Sequence, residues 1–514
     1  MKNILYLSLL ILIACLPGVA ECQSPTNCSR TRTLQKPRGE DVFVRFFGGN
    51  GDMLVHNYDM SAFTSVFTCR QTPTHPTANR YEIPIPANVY GPMSFRVLDM
   101  VVVGDMCFFC GRKRHAVGIE YGPDGNPYTV YVDRGFVGQV SLNHITDSPS
   151  GTANYRLTDL PDTKELTRID VKVDPDVTSD TMLALVGTST AGQSCLAFVN
   201  AGSGPWCYKV VTPTDATETF SDVVFTETYV TATSRYAGNS YLFGMRSAMI
   251  NDIFANNYYS DLDMVNTFNT SAMVNVVTNI NTTMQSGHGI IQLSPVPGTD
   301  EVNVGYESIA LTPSGNRENH TTLFLMDVYM PGNTYILNLQ DVRSGVDGHG
   351  TFADMLTMKE RNGVALLHRS TTGQPPRSVV QFASWATIGL SFSYAAPDDE
   401  ELTSIDKYGK DLLWAAGHRP DHQDSVVLFN QNLACPFVSC YTEIYPLAAP
   451  LAEMVKPDTE EKRVNVERIN LEYVIWNSLN AAPTMIEQRC HAIGRDTDGS
   501  GEEGDDGEEE NDDE

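Results

Sequence analysis

The chain has 514 residues, 41% hydrophobic and 19% charged, with 39 Gly and 28 Pro. That composition belongs to a globular protein rich in turns, long enough for several domains or one large repeat array. The net charge of −28 excludes sequence-independent nucleic-acid binding, which needs a basic surface, and disfavours adhesion to anionic membranes.

Residues 1–20 combine Lys2, an apolar run over 4–16 and the sequence Pro17-Gly18-Val19-Ala20. This is the pattern of a signal peptide, with cleavage before Glu21. A second route competes: Leu12-Ile13-Ala14-Cys15 resembles a bacterial lipoprotein box, which would place a lipid on Cys15 and make it the sole membrane contact. Both routes predict export, to a secreted, periplasmic or cell-surface location. Export permits disulfides. Among the eleven Cys, Cys195 and Cys207 fall on neighbouring predicted strands and are the first candidates for pairing; Cys435 and Cys440 are the next.

Residues 21–40 are polar and read as a linker. A hairpin follows, with strands over 42–47 and 53–58 around Gly48-Gly49-Asn50-Gly51. The next stretch, 99–122, sets the pattern of the chain. Apolar runs over 100–103 and 106–110 flank a Gly104-Asp105 turn and stop at Gly111. A cationic turn over Arg112 to Arg114 precedes runs over 117–121 and 128–132. Short runs rich in Val and Phe between Gly/Asp turns predict four antiparallel strands.

Relatives of this unit start near Asp170, Asp222, Asp354 and Asp406, and a looser copy covers 289–326. The Asp positions, from Asp99 onward, are 71, 52, 132 and 52 residues apart, the longest gap holding the looser copy. A repeat of roughly fifty residues with four strands is the mark of a propeller blade. Residues 464–476 alternate like a strand. One blade built from both chain ends would close the ring. The expected fold is an all-β propeller over 41–490 with seven four-stranded blades, six being the runner-up. An acidic tail over 491–514 has too little to bury and is expected to be disordered.

Candidate sites are sparse. Cys107-Phe108-Phe109-Cys110 has C-x-x-C spacing, but residues three apart on a strand face opposite sides, which favours packing over redox or metal chemistry. The recurrent Asp residues fit a structural role, bonding backbone N–H groups at each strand entry, better than a cation site. His418 and His422 bracket Pro420, which breaks the helix that a His-x-x-x-His metal site needs. His288 and His349, each between glycines before a predicted inner strand, are weak contact candidates. Asp496 opens an EF-hand-like loop that lacks the required Glu, since its twelfth position is Gly507. No cofactor or metal site is predicted.

The alternation of Asp-Met-Val-Val-Val, Cys-Phe-Phe-Cys-Gly-Arg and Val-Gly-Ile-Glu-Tyr resembles the repeats of secreted bacterial β-propeller proteins. The resemblance covers about 41–490 and implies a fold, not a catalytic residue. Two functions remain: a binding protein for a protein or glycan ligand, or a glycan hydrolase or lyase with its site at the channel mouth.

Overall fold

In the computed structural model, the described residues are 29–35, 39–47, 52–59, 63–70, 77–83, 93–142, 152–173, 181–201, 206–213, 215–247, 262–269, 291–311, 317–328, 334–339, 351–369, 378–385, 391–395, 401–418, 425–433, 452–455, 459–470 and 475–489. Almost all of them lie in strands. β1 (Ser29–Gln35) stands first. β2 (Gly39–Phe47), β3 (Asp52–Asp59), β4 (Thr64–Arg70) and β5 (Thr77–Glu82) form an antiparallel group. The next contains β6 (Ser94–Val103), β7 (Met106–Tyr121), β8 (Pro127–Ser141) and β9 (Thr152–Leu160). Then come β10 (Thr163–Val173), β11 (Thr181–Ser189), β12 (Ser194–Asn200) and β13 (Cys207–Pro213). β14 (Thr219–Phe225), β15 (Tyr229–Tyr236), β16 (Asn239–Arg246) and β17 (Leu262–Asn269) repeat the order. So do β18 (Ile291–Pro295), β19 (Glu301–Leu311), β20 (Arg317–Asp327) and β21 (Thr334–Leu339). β22 (Thr351–Met358), β23 (Gly363–Arg369), β24 (Ser378–Ser384) and β25 (Ser391–Ala395) follow. The last group is β26 (Glu401–Tyr408), β27 (Leu412–His418) and β28 (Ser425–Asn432), with β1 added as its fourth strand.

The first strands of successive groups touch in the order β6, β10, β14, β18, β22, β26, β2 and back to β6. The arrangement is propeller-like. Its core is layered between neighbours, because each group buries both faces. Cys107, Phe109 and Phe136 pack with Phe43, Leu54 and Phe67 on one side. Phe108, Cys110 and Val137 pack with Leu183, Leu185 and Cys195 on the other. Apolar burial on two faces is why these strands read as continuous hydrophobic runs.

Three expectations change. Arg112 to Arg114 are not a turn but the middle of the long strand β7. Each finds an acid there: Arg112 faces Glu165 at 3.5 Å, Lys113 faces Asp159 at 2.5 Å and Arg114 faces Asp133 at 3.8 Å. Residues 29–35, read as linker, form β1. The run over 464–476 does not complete a blade in the ring. Instead, β29 (Ala452–Val455), β30 (Thr459–Asn470) and β31 (Ile475–Arg489) run along outer edges. β29 pairs β21; β30 pairs β17 and then β13; β31 pairs β9, β5 and β1 in turn.

Gly111, expected to end a run, lies inside a second strand opposite a bulge in the first strand, and Gly417 occupies the same place in its group. The bulge between Val97 and Asp99 faces Gly111, and that between Leu402 and Ser404 faces Gly417. A Cβ on Gly111 would lie 2.0 Å from the Arg96 carbonyl oxygen, and one on Gly417 1.9 Å from that of Glu401. Glycine is needed there for space.

Candidate functional site

The recurrent aspartates converge on the axis. They line a cavity of about 350 Å³ between the first strands, together with Arg45, Arg168, Gln292 and apolar neighbours such as Val101 and Leu293. Asp99 accepts the N–H of Met100 at 2.9 Å and, from the next group, that of Ile169 at 3.0 Å. Asp170 accepts from its own Val171 and from Phe225, the latter at 2.6 Å. Asp222 accepts from Val223 at 2.9 Å and Leu293 at 2.7 Å. Asp354 accepts from Met355 and Ile405, both at 2.9 Å. Asp406 accepts from Lys407 at 2.8 Å and Phe46 at 2.7 Å. Each carboxylate therefore fixes its own strand and clamps the following one. β18 has no such Asp; Ser294 Oγ accepts the Thr357 N–H at 2.8 Å instead. The structural reading of these residues thus holds, and the bond is between groups rather than within an entry turn.

Between β2 and β6 the device differs. Arg45 Nε donates to the Met100 carbonyl at 3.0 Å, and Nη1 donates to Val44 O at 2.8 Å and Ser404 Oγ at 2.9 Å. The guanidinium also lies 3.8 Å from Asp99 and 4.0 Å from Asp354. Burial opposes the Arg45 charge, but Asp354, Asp406 and Asp99 outweigh it and raise its pKa. Arg168 is raised in the same way, burial being overcome by Asp99, Asp222 and Asp354.

Burial pushes the carboxyls upward: Asp170 to about 7 and Asp222 to about 6, with Asp99 and Asp406 also above the ordinary range. For Asp170 the N–H bonds of Phe225 and Val171 oppose the rise; for Asp222 the main opposing group is Arg168. Such shifts accompany catalytic acids in many enzymes. Here both oxygens of each carboxylate are engaged by backbone donors, which makes the set a joint rather than an acid–base pair.

The second feature is an arm. Pairing of β6 with β7 stops at Arg114, and pairing of β8 with β9 starts at Gly135. Beyond these points β7 and β8 continue as a two-stranded ribbon to Tyr121 and Pro127. Ile119 is 53% exposed and Tyr121 73% exposed, on one face; Tyr128 is 50% exposed on the other. The ribbon is held by local bonds. Tyr128 Oη donates to Glu120 at 2.7 Å, and Arg114 stacks 4.9 Å from the Tyr131 ring centroid. At the tip, Asp124 accepts from the Asn126 backbone N–H at 3.2 Å and side chain at 2.7 Å.

The predicted site residues are elsewhere or outside the described set. His418 ends β27, its Nε2 3.7 Å from Glu401 in the register partner position, away from the cavity lining. His288, His349, His422, Cys435 and Cys440 lie outside the described residues. Cys195 and Cys207 sit on neighbouring strands, but Cys207 is opposite Asn200, five positions along from Cys195, and Cys195 is a buried free thiol pushed up to about 12 by burial. Cys107 and Cys110 are free thiols on opposite faces of β7, each raised by burial. Arg45 and Arg168 were not singled out in the sequence. The signal for Arg45 is a lone cation in a short apolar run, Val44-Arg45-Phe46, whereas Arg168 shares its strand with Lys164 and Lys172 and has no such mark.

No protein-family model and no curated protein sequence matches the chain. Among solved structures it is similar to the polysaccharide lyase Uly1, at 8% identity and a TM-score of 0.41, covering 77% of this chain and 90% of that one. It is also similar to the β-propeller domain of the Trilobed protease from Pyrococcus furiosus, at 8% identity and a TM-score of 0.30, covering 66% and 94%. Neither likeness bears on activity.

Proposed function

We propose that the chain is an exported binding protein built on a seven-bladed β-propeller, which engages a protein partner through the β7–β8 arm. The repeated groups and the round of first-strand contacts support the blade count. The exposure of Ile119 and Tyr121 on a ribbon whose two strands pair only with each other among the described residues carries the binding reading. A two-stranded ribbon is marginal in water by itself, and apolar side chains exposed along it favour a partner that adds apolar contacts and strand support together. A glycan would satisfy the aromatics but not the repeating backbone donors and acceptors.

The test is a pull-down with the purified mature chain and an Ile119→Ser/Tyr121→Ser variant, alongside a glycan array. The expected result is a protein partner retained by the wild type and lost by the variant, with thermal melting unchanged. Undiminished capture by the variant, or a glycan bound equally by both, would overturn the proposal.

A further inference from the structure

The carboxylates of the axial cavity are engaged, but one of its cations is not. Arg168 follows a bulge in β10, as Asp99, Asp222 and Asp354 follow the bulges of β6, β14 and β22. It therefore takes the place on its strand that an Asp takes on those, and it lines the same cavity. Burial opposes its charge, while Asp99, Asp222 and Asp354 favour it. Yet among the described residues its guanidinium makes no hydrogen bond and lies within ion-pair distance of no carboxylate. The reason is that both oxygens of each neighbouring carboxylate are held by backbone N–H groups, so none can turn to meet it. A planar fork of N–H donors is left on the cavity wall.

A second group on that wall is unmatched. Gln292 is 5% exposed, and its amide nitrogen donates to the Ala353 carbonyl at 3.1 Å, while Oε1 accepts nothing among the described residues. A buried acceptor without a donor is costly. Asp222 connects the two groups: it favours the charge of Arg168 and accepts the N–H of Leu293, next to Gln292.

A ligand that satisfies both brings a pair of acceptors to Arg168 and an N–H or O–H donor to Gln292. Charge narrows the choice. The cavity wall carries Asp99, Asp170, Asp222, Asp354 and Asp406 against Arg45, Arg168 and Lys407, so a phosphate or dicarboxylate would enter an acidic surround. A zwitterion adds no net charge. Its carboxylate matches the guanidinium fork, and its ammonium matches Gln292 Oε1 and the remaining lone pairs of the carboxylates. The volume of about 350 Å³ stands at the lower end of the ~300–1,000 Å³ usual for ligand pockets, which suits a small molecule. We propose that the axial cavity binds a small free α-amino acid, with Arg168 as the anchor of its carboxylate and Gln292 as an acceptor for its ammonium. No residue of the β7–β8 arm lines the cavity, so this inference is independent of the arm.

Isothermal titration calorimetry on the full mature chain tests it. The probes are glycine, L-alanine and L-serine, with acetate and ethylammonium as the two charged halves, and inorganic phosphate and glucose as the competing chemistries. The expected result is saturable binding of at least one of the amino acids at a single site per chain, with no comparable binding of the other probes. Arg168→Gln should weaken that binding by roughly tenfold or more, the loss of a charge-assisted pair. Gln292→Leu should weaken it by less, and the Ile119→Ser/Tyr121→Ser arm variant should bind as the wild type does. Absence of binding by every amino acid would overturn the inference. So would acetate, phosphate or glucose binding as tightly as the amino acids, or undiminished affinity in a folded Arg168→Gln protein. The comparison of the whole zwitterion with its halves on the wild type decides the matter even if Arg168→Gln fails to fold.

Discussion

Asp170 accepts the backbone N–H of Phe225 at 2.6 Å across the junction between β10 and β14. The bond ties together two strands whose sequences are 55 residues apart. It is one of a series that carries the ring from group to group, so the stability of the fold should be concentrated in a few short polar side chains on the axis.

Asp406→Ala tests that view. The substitution leaves the part-buried N–H groups of Phe46 and Lys407 without their acceptor. A loss of about 1–3 kcal/mol in unfolding free energy is expected in denaturant titration. A change within a few tenths of a kcal/mol would mean that the clamp is idle.

Arg45→Met should cost more, about 3 kcal/mol or above, because it removes the donor to Met100 and leaves Asp99 and Asp354 with less compensation. Arg45→Lys should recover little. A single ammonium cannot reproduce donations directed along the guanidinium fork to Met100, Val44 and Ser404. Comparable stability of the lysine variant and the wild type would contradict this account.

Gly417→Ala should destabilise by about 1–3 kcal/mol, through the clash with the Glu401 carbonyl opposite the bulge. Alanine at Gly118, where nothing lies within 4 Å, is the control and should leave the melting temperature unchanged.

Two buried groups give opposite pH dependences. The Asp170 pKa rises from 3.8 to about 7 on folding, chiefly through burial. Between these values the folded state holds the extra proton, so this group lowers stability as pH climbs from 4 to 7. Asp170→Asn should flatten that part of the stability profile. A profile with the same slope in both proteins would refute the assignment.

His56 acts in the other direction. Burial lowers its pKa from 6.5 to about 4, where it stacks on Phe43 with ring centroids 5.6 Å apart and contacts the Asp41 carbonyl at 3.0 Å. The unfolded chain takes the proton first, so stability falls as pH drops from 6.5 to 4, by about 3 kcal/mol in all. His56→Phe should remove this acid-side loss, as measured by melting at pH 4.5 and 7.

The parts legible in the sequence were those that obey local rules. Runs such as 182–187 and 195–199 became β11 and β12 because strands buried on both faces need unbroken apolar residues. The recurring Asp marked the first strands because every junction but two uses the same carboxylate bond. Misreadings came where long-range partners override local character. Arg112 to Arg114 look like a turn until Glu165, Asp159 and Asp133 are brought beside them. Gly111 looks like a strand end until the bulge opposite it is seen. β1 and the outer strands pair across most of the chain length, a relation that no local pattern announces.

The joints themselves have a rhythm. Asp99, Asp222 and Asp354 reach the residue just before the next acceptor, namely Ile169, Leu293 and Ile405. Asp170, Ser294 and Asp406 reach further along the following strand, to Phe225, Thr357 and Phe46. Two kinds of joint alternate, and alternation closes on itself only in an even ring. With β2 as the odd member, one mismatch is unavoidable, and it falls between β2 and β6, where Arg45 stands. Parity thus gives the circle a single address at which its order begins.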